Sequence, residues 1–399
     1  MDRRKFLRGL ATAACSTAAH PWLTTVTLAG SEDSQLLGEN RLVVVILRGA
    51  MDGLDLLRPT FEPDLARYRP SLMQDTLPLD NRFALHGSLH ALLPLWTSGE
   101  LGFVHATSTP YRDQRSHFDG QDILEAGTGL DLPDAAIRDG WLNRVLQSVP
   151  GLTSETAYAI GRDAIPLLAG DAPVVNWTPE VTLDLSAQTK LLLDHIYHDD
   201  DLFREAATEA MAVAEEAALS MMAAPADGQT DRALKGIDRL AEFAARRLRG
   251  QTRIAAFSLT GWDTHRNQSG SFHRPLGQLE RVILQMKSGL GPEVWGKTVL
   301  LAMTEFGRTV AENGNKGTDH GTGGAMVLAG GALRGGRVMG QWPGLDEASL
   351  YARRDLMPTS DVRAWAAWAM RSLFGLDRSL LETSIFPGLD MGNDPSLLL

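Results

Sequence analysis

The sequence predicts an α/β fold with a mostly parallel central sheet and helices on both faces. Apolar, strand-like runs alternate with segments of helical composition, which is typical of parallel strands connected by helices. The first of these runs, Val43–Leu47, consists of five consecutive branched or leucine residues, as in a strand buried on both faces. A chain of 399 residues with 44% hydrophobic content can bury the core that such a sheet needs.

The N-terminus predicts an export signal. Asp2–Leu7 (DRRKFL) is a twin-arginine pattern, and a mildly apolar, Ala-rich stretch follows it. We expect residues 1–30 to be a twin-arginine signal peptide and residues 31–40 a linker. Residues 41–399 are expected to form a single domain that is periplasmic or secreted. The only cysteine, Cys15, lies in the signal, so the mature chain would contain no disulfide.

Five apolar runs predict the strands of the sheet, at residues 43–47, 101–105, 253–259, 298–303 and 325–329. Two shorter runs, 157–161 and 173–177, predict short strands of a cap. Residues 59–85 are punctuated by proline, which predicts an irregular segment.

Helices are predicted at residues 89–96, 116–126, 272–288 and 360–374. Ser116 and Ser360 are the expected N-caps of two of them, and Gly127 and Gly375 are the expected stops. A helical insertion is predicted at residues 189–248, where two amphipathic stretches favour an antiparallel pair packed on the sheet.

The overall charge excludes one class of partner. The net charge is −11, and no basic run follows the N-terminus, whereas binding to a nucleic-acid backbone needs clustered Lys and Arg. An anionic small molecule stays compatible with this charge because it needs only a local cationic pocket. No apolar run after the signal reaches the ~18 residues that cross a bilayer, so we expect no membrane span in the mature chain.

Acidic and imidazole side chains stand at the ends of the predicted strands. Asp52 follows the first strand, and Asp263 and His265 follow the third. Glu305 follows the fourth strand, and His320 precedes the fifth. Because loops at the carboxyl ends of strands converge on one rim, these residues predict a site for a divalent metal. The alternatives are a turn aspartate at Asp52 and an Asp–His hydrogen bond without metal.

Ser116 opens a predicted helix. A hydroxyl at a helix N-terminus lies near free backbone amides and the positive end of the dipole, which favours a developing alkoxide and anion binding. Arg115, Arg308 or Arg112 would hold the oxygens of a phosphate or sulfate group. The alternative is that Ser116 is an N-cap and nothing more.

Five motifs together resemble the alkaline phosphatase/sulfatase superfamily and, more closely, an exported bacterial family of unknown function with twin-arginine signals. They are LRGAMDGLD, RSHFDGQDILEAG, GWDTH, TEFGRT and GTDHGTGGAMVLAGG. The resemblance implies an alkaline-phosphatase-like three-layer fold. It implies that Asp52 is the first aspartate ligand and that Ser116 is the nucleophile. It also implies that Asp263 and His265 form the pair of one metal site and that His320 is the last histidine ligand.

The sequence departs from the superfamily pattern in three respects. Glu305-Phe306 stands where an Asp-His pair is usual, and the spacing from Asp263 to His265 is compressed. Ser116 also lacks the Cys/Ser-x-Pro-x-Arg signature of sulfatases. A site of Asp52, Glu305 and Ser116 oxygens would shift the ion from Zn toward Mg, Mn or Ca.

These observations predict an exported, metal-dependent hydrolase of phosphate or sulfate esters with a serine nucleophile. Its substrate would be an anionic small-molecule or glycan ester, and its export partner would be the twin-arginine machinery. One alternative is a non-catalytic exported protein on the same fold that binds a ligand or assembles a surface structure. Another is a metal-dependent isomerase or transferase of the same superfamily.

Overall fold

We describe the protein from a computed structural model, which covers residues 37–73, 75–129, 139–149, 151–161, 165–178 and 232–399. The predicted signal peptide, most of the predicted linker and the first part of the predicted insertion, residues 189–231, lie outside the described residues. Those assignments stay predictions.

Within the described residues the strands are β1 (Arg41–Arg48), β2 (Leu57–Pro59), β3 (Thr76–Pro78), β4 (Phe83–His86), β5 (Leu101–Ser108), β6 (Ala157–Ile160), β7 (Val175–Trp177), β8 (Ile254–Thr260), β9 (Thr298–Met303), β10 (Gly324–Ala329), β11 (Val338–Met339) and β12 (Ser360–Asp361). The α-helices are α1 (Gly53–Leu56), α2 (Leu65–Tyr68), α3 (Leu93–Thr97), α4 (His117–Ala126), α5 (Trp141–Ser148), α6 (Arg232–Arg249), α7 (Gln268–Ser271), α8 (His273–Trp295), α9 (Val362–Phe374) and α10 (Arg378–Leu380).

The main sheet is mostly parallel. Its order is β11-β5-β10-β9-β1-β8-β6-β7, and β12 pairs with β5. In the described part of the sheet, the pairs that involve β10 are antiparallel and the other pairs are parallel. This arrangement confirms the predicted α/β class.

The side chains of β1 alternate between two cores because successive residues of a strand point to opposite faces. Val43 and Val45 lie in one core with residues of α6 and α8. Leu42 and Val44 lie in the other core with residues of α5 and α9. All four side chains are fully buried. Helices therefore cover both faces of the sheet, as predicted.

The helix that opens at Ser116 begins and ends where the sequence predicts. Ser116 is the N-cap of α4, and Gly127, with φ +66°, is its C-cap. The helix predicted at residues 360–374, α9, differs from the prediction. It begins at Val362 with Asp361 as N-cap, because Ser360 pairs with β5 as part of β12.

Two predictions about the short segments are wrong. β6 and β7 extend the main sheet beside β8 and do not form a cap. Residues 59–85 include β3 and β4, which form an antiparallel sheet of order β2-β4-β3. Pro59 and Pro78 are the last residues of β2 and β3, so these prolines mark the ends of very short strands.

The helix α6 covers the second amphipathic stretch of the predicted insertion, and the insertion itself stays a prediction. The buried residues of α6, among them Leu240 and Phe243, pack against the sheet and α8. None of the helices in the described residues is long and apolar enough to cross a membrane.

The strand register brings several loops to one rim of the sheet. Arg48 of β1 lies beside Thr260 of β8, and Ile46 lies beside Met303 of β9. Because these strands are parallel, the loops that follow them all leave from the end of the sheet where the strands have their carboxyl termini. The strand β10 runs the other way, so the loop that precedes it, with His320, reaches the same rim.

Candidate metal centre

Two glycines let the rim loops pack closely against one another. A Cβ at Gly49 would lie 2.7 Å from the backbone nitrogen of Asp263, and one at Gly317 would lie 2.3 Å from the carbonyl carbon of His265. Gly49 also has φ +118°, which side-chain-bearing residues rarely adopt. The loop after β1 and the loop before β10 therefore both contact the loop that carries Asp263 and His265.

One carboxylate oxygen, Oδ1 of Asp263, is the centre of a cluster. The Nε2 atoms of three histidines surround it, at 3.0 Å for His265, 3.2 Å for His320 and 3.5 Å for His117. Arg308 Nη2 lies 2.6 Å from the same oxygen. The ligand atoms of His117, Asp263 and His320 all lie within 4.8 Å of one another, which is close enough to bind one ion.

The other ring nitrogen of each histidine, Nδ1, contacts an oxygen acceptor. The pairs are His117 with Glu305 Oε1 (2.7 Å), His265 with Asp319 Oδ1 (3.0 Å) and His320 with the Arg115 carbonyl oxygen (2.9 Å). An acceptor at Nδ1 favours the tautomer with its proton on Nδ1 and a lone pair on Nε2. In that tautomer the Nε2 lone pairs of His265 and His320 face an ionised carboxylate, and a cation between them removes the repulsion.

Electrostatic effects at the cluster agree with this geometry. The carboxylates of Asp263 and Glu305 raise the pKa of His117 to about 9. Its Nε2 atom is buried and makes no hydrogen bond. Burial raises the pKa of Asp263, but His117, His320 and Arg308 outweigh burial and hold that pKa well below its usual range. A protonated imidazole nitrogen thus lies beside a carboxylate that stays ionised, at a place where a divalent cation would compete with the proton.

The donor set of this cluster fits a divalent transition metal. Imidazole nitrogens together with one carboxylate are ligands that suit zinc, whereas Mg²⁺ and Ca²⁺ prefer sites built of oxygen. The carboxylates behind His117 and His265 are the outer partners that commonly orient metal-binding histidines. The oxygen-only set considered from the sequence is not what the loops bring together.

Asp52 lies outside this cluster. Its carboxylate is buried and is ion-paired with Arg69, at 2.9 Å. It also accepts hydrogen bonds from Gln268 Nε2 (2.8 Å) and Thr318 Oγ1 (3.2 Å) and is the N-cap of α1. Burial raises the pKa of Asp52, but Arg69 and Gln268 outweigh it and keep the pKa low. These partners are all donors, so the geometry makes Asp52 an ion-paired residue rather than a ligand.

Glu305 lies behind His117 rather than at the centre of the cluster. Its buried Oε1 accepts from Gly49 N (2.9 Å) and Gln121 Nε2 (3.1 Å) as well as from His117. Burial raises the pKa of Glu305, but the hydrogen bond from His117 and the other donors lower it below its usual value. The role that this geometry supports is to orient His117.

Arg308 is also placed differently from the sequence prediction. Its side chain is fully buried, and it donates to the carbonyl oxygens of Gly49, Ala50 and Thr318. Because no part of the guanidinium reaches solvent, Arg308 is not positioned to hold a substrate oxygen. It holds Asp263 instead.

Arg115 and Ser116 lie beside the cluster at the start of α4. Arg115 has φ +57°, and its carbonyl oxygen accepts from His320 Nδ1. The Arg115 side chain is 40% exposed and lies 4.0 Å from Asp355. Ser116 Oγ accepts from Asp119 N at 3.4 Å. Ser116 therefore stands between two residues that contact the cluster.

The sequence did not predict a ligand role for His117. The signal for it is its place directly after Ser116, at the rim where the other histidines were expected. In the structure the His117 ring stacks on Phe306, with ring centres 5.2 Å apart and an 18° angle between planes. The resemblance implied that the site lacks one imidazole, because Phe306 stands where the superfamily has a histidine. In the structure, His117 supplies an imidazole from another loop.

A family model for proteins of unknown function, DUF1501, matches residues 96–377. The chain belongs to the DUF1501 family. The match spans the rim loops that carry His117, Asp263, Glu305 and His320. It confirms the predicted membership of a family of unknown function. No curated protein matches this DUF1501 chain.

Solved structures similar to this DUF1501 protein include members of the alkaline phosphatase superfamily. One, from Vibrio parahaemolyticus, has a TM-score of 0.38 and 10% identity over 98% of this chain and 80% of that chain. The C-terminal periplasmic domain of EcEptC from Escherichia coli, in complex with Zn, has a TM-score of 0.38 and 10% identity over 95% and 96%. The lipoteichoic acid synthase LtaP from Listeria monocytogenes has a TM-score of 0.38 and 8% identity over 90% and 79%. At such scores the likeness is distant.

Proposed function

We propose that this protein is a metal-dependent hydrolase of phosphate or sulfate esters, exported by the twin-arginine route. The observation that carries the proposal is the convergence of three imidazole Nε2 atoms on Asp263 Oδ1, each ring with an acceptor at Nδ1. Lone pairs in this arrangement are stabilised by a divalent cation, and their nitrogen content favours zinc. The twin-arginine pattern at Asp2–Leu7 supports export.

In this proposal His117, Asp263 and His320 hold the ion, and His265 is a fourth ligand. When bound, the ion polarises an ester oxygen and lowers the pKa of a neighbouring hydroxyl. Glu305 and the other acceptors at Nδ1 keep each ring in the tautomer that leaves Nε2 free.

Ser116 is the nucleophile in this proposal. Its Oγ loses its proton and forms a bond to phosphorus or sulfur while the bond to the leaving oxygen breaks, and that oxygen takes up a proton to leave as the alcohol; water then attacks the ester of Ser116, releases the anion and returns a proton to Oγ. The N-terminus of α4 supports this role because its backbone amides and dipole favour negative charge. Arg115 supplies an exposed cation for the remaining oxygens of an anionic small-molecule or glycan ester.

The proposal is tested by bound zinc and turnover in the purified full chain. His320→Ala removes a ligand and is expected to lose bound zinc and hydrolysis of 4-nitrophenyl phosphate and sulfate. His90→Ala is the matched control, because His90 is an exposed histidine outside the cluster. Elemental mass spectrometry and absorbance assays give the two readouts. Equal zinc in both variants would place the ion elsewhere.

The variant Ser116→Asn tests the nucleophile role of Ser116 separately from its role as the N-cap of α4. Asparagine is as good an N-cap as serine, so we expect zinc content and melting temperature to be unchanged. Loss of the hydroxyl is expected to reduce turnover by about 10³-fold or more. Full turnover in Ser116→Asn would remove the nucleophile assignment. A zinc-loaded wild-type chain that hydrolyses neither ester would favour the non-catalytic ligand-binding alternative.

A further inference from the structure

We propose that Gln268 is a positioning residue that sets the spacing of the two ligand-bearing loops and thereby the zinc affinity of the site. This inference rests on the proposed function, since it concerns the same ion. It starts from a buried amide that contacts both loops but touches none of the ligand atoms.

The side-chain oxygen of Gln268 bridges the two loops. Gln268 is fully buried at the start of α7. Its Oε1 accepts from Thr264 Oγ1 at 2.8 Å and from Thr318 Oγ1 at 2.7 Å. Thr264 stands between Asp263 and His265, and Thr318 directly precedes the Asp319-His320 pair. One acceptor atom therefore joins the two segments that carry the ligands.

The side-chain nitrogen of Gln268 is anchored to the body of the protein. Its Nε2 donates to Asp52 Oδ2 and Asp55 Oδ2, both at 2.8 Å. Arg69 pairs with Asp52 at 2.9 Å, and Arg58 with Asp55 at 3.4 Å. A flipped amide would turn its oxygen toward two carboxylates, so only one orientation is stable. Both protons and both lone pairs of the amide are then used.

Other contacts join the same two segments, among them His265 Nδ1 with Asp319 Oδ1 at 3.0 Å, but the Gln268 amide is the buried link that also ties both loops to Asp52 and Asp55. Thr318 N donates to the Thr264 carbonyl at 3.2 Å. Further bonds join Asn267 to Asn315 and Gln268 to Lys316, at positions more distant in sequence from the ligands. Because metal affinity depends on donor positions and on the partners that orient them, a change in loop spacing is expected to act directly on affinity.

The test compares threonine variants of similar structural cost. Thr318→Val keeps the shape of the side chain but removes its hydroxyl, and Thr318→Ser restores the hydroxyl. Thr298→Val is the matched control. Thr298 is buried at the start of β9, at the end of the sheet opposite to the metal centre, and its hydroxyl donates to the Val294 carbonyl oxygen at 2.7 Å. Gln268→Met removes the bridge itself. The measurements are the zinc dissociation constant, by competition with a chromophoric chelator, and the melting temperature of the zinc-free chain.

We expect Thr318→Val and Gln268→Met to weaken zinc binding by about 10- to 100-fold. Thr318→Ser should return to the wild-type affinity, and Thr298→Val should lower the melting temperature without changing affinity. An unchanged zinc constant in Thr318→Val, with only a lower melting temperature, would overturn the inference and leave the proposed function standing. A wild-type chain that binds no zinc would overturn the proposed function, and this inference with it. If Gln268→Met does not fold, the Thr318 variants decide.

Discussion

Two aspartates at the same rim of the sheet have opposite surroundings. Asp52 follows β1 and Asp263 follows β8, and each is paired with a buried arginine. The Asp52 side chain is 1% exposed, and its other partners are amide and hydroxyl donors. The Asp263 side chain is 46% exposed, and its other partners are imidazole nitrogens.

The difference shows what makes a strand-end carboxylate a candidate ligand. At Asp52 the negative charge is neutralised inside the protein, and donors occupy the oxygens that a metal would need. At Asp263 one oxygen is shared among rings whose Nε2 atoms are stabilised by a positive charge, either a proton or a metal ion. Both aspartates follow a strand, so the side chains that contact each carboxylate decide whether it can act as a metal ligand.

The largest expected effect is the contrast between Asp52→Asn and Asp263→Asn. Asp52→Asn leaves the buried charge of Arg69 without its partner, which typically costs about 3–5 kcal/mol of unfolding free energy. Because no ligand atom is removed, the folded chain should still bind zinc with wild-type stoichiometry at saturation. Asp263→Asn should show the reverse, a loss of bound zinc with a smaller loss of stability, because Asp263 is half exposed and Arg308 still donates to four backbone carbonyl oxygens. Urea denaturation and elemental analysis measure the two quantities.

That comparison would fail if the roles were exchanged. A stable Asp52→Asn chain that loses its zinc would make Asp52 a ligand, as the sequence alone predicted. A useful companion is Asp52→Leu combined with Arg69→Met, since replacing both partners of a buried pair by apolar residues often restores stability. Recovery in the double variant would attribute the loss to the unpaired charge.

A smaller effect is expected from Glu305→Gln, which tests the residues behind the ligands. The substitution keeps the size of the side chain but removes the charge that orients His117 and favours its Nδ1 proton. Loss of such an outer partner typically weakens metal binding by about 10- to 100-fold. Glu125→Gln is the control, because Glu125 is an equally buried carboxylate paired with Arg48 at 2.7 Å, away from the ring nitrogens. Equal zinc constants in the two variants would contradict the role given to Glu305.

Much of the sheet could be predicted from local sequence because β1 and β9 are continuous apolar runs buried on both faces. The segments that were misassigned are strands of three or four residues, such as β6 and β7. So short a run has too little periodicity to show which sheet it joins. The second sheet, β2-β4-β3, was missed because its strands are equally short and because β2 and β3 end at prolines.

The location of the candidate site could be predicted from the sequence, but the full set of residues that form it could not. Strand ends indicate the rim, and Asp263, His265 and His320 meet there. The role of His117 depends on Glu305, 188 residues away, and that of Asp52 depends on Gln268, 216 residues away. Such partners are set by the tertiary fold, and one sequence does not contain that information.

The smallest expected effect is a pH dependence of the unfolding free energy, which arises from His117 beside Asp263 and has no counterpart at Asp52. In the zinc-free chain the pKa of His117 rises from 6.5 to about 9 because Asp263 and Glu305 stabilise its charged form. A raised histidine pKa stabilises the folded state fully below pH 6.5, and this stabilisation is lost as pH rises through 9. Since water partly screens the ring, which is 25% exposed, we expect a change on the order of 1 kcal/mol in unfolding free energy. Zinc affinity should increase over the same range because the ion competes with the proton on Nε2. His117→Gln should flatten the stability profile of the zinc-free chain between pH 6.5 and 9 in urea titrations. An unchanged slope in that variant would assign the titration to another group.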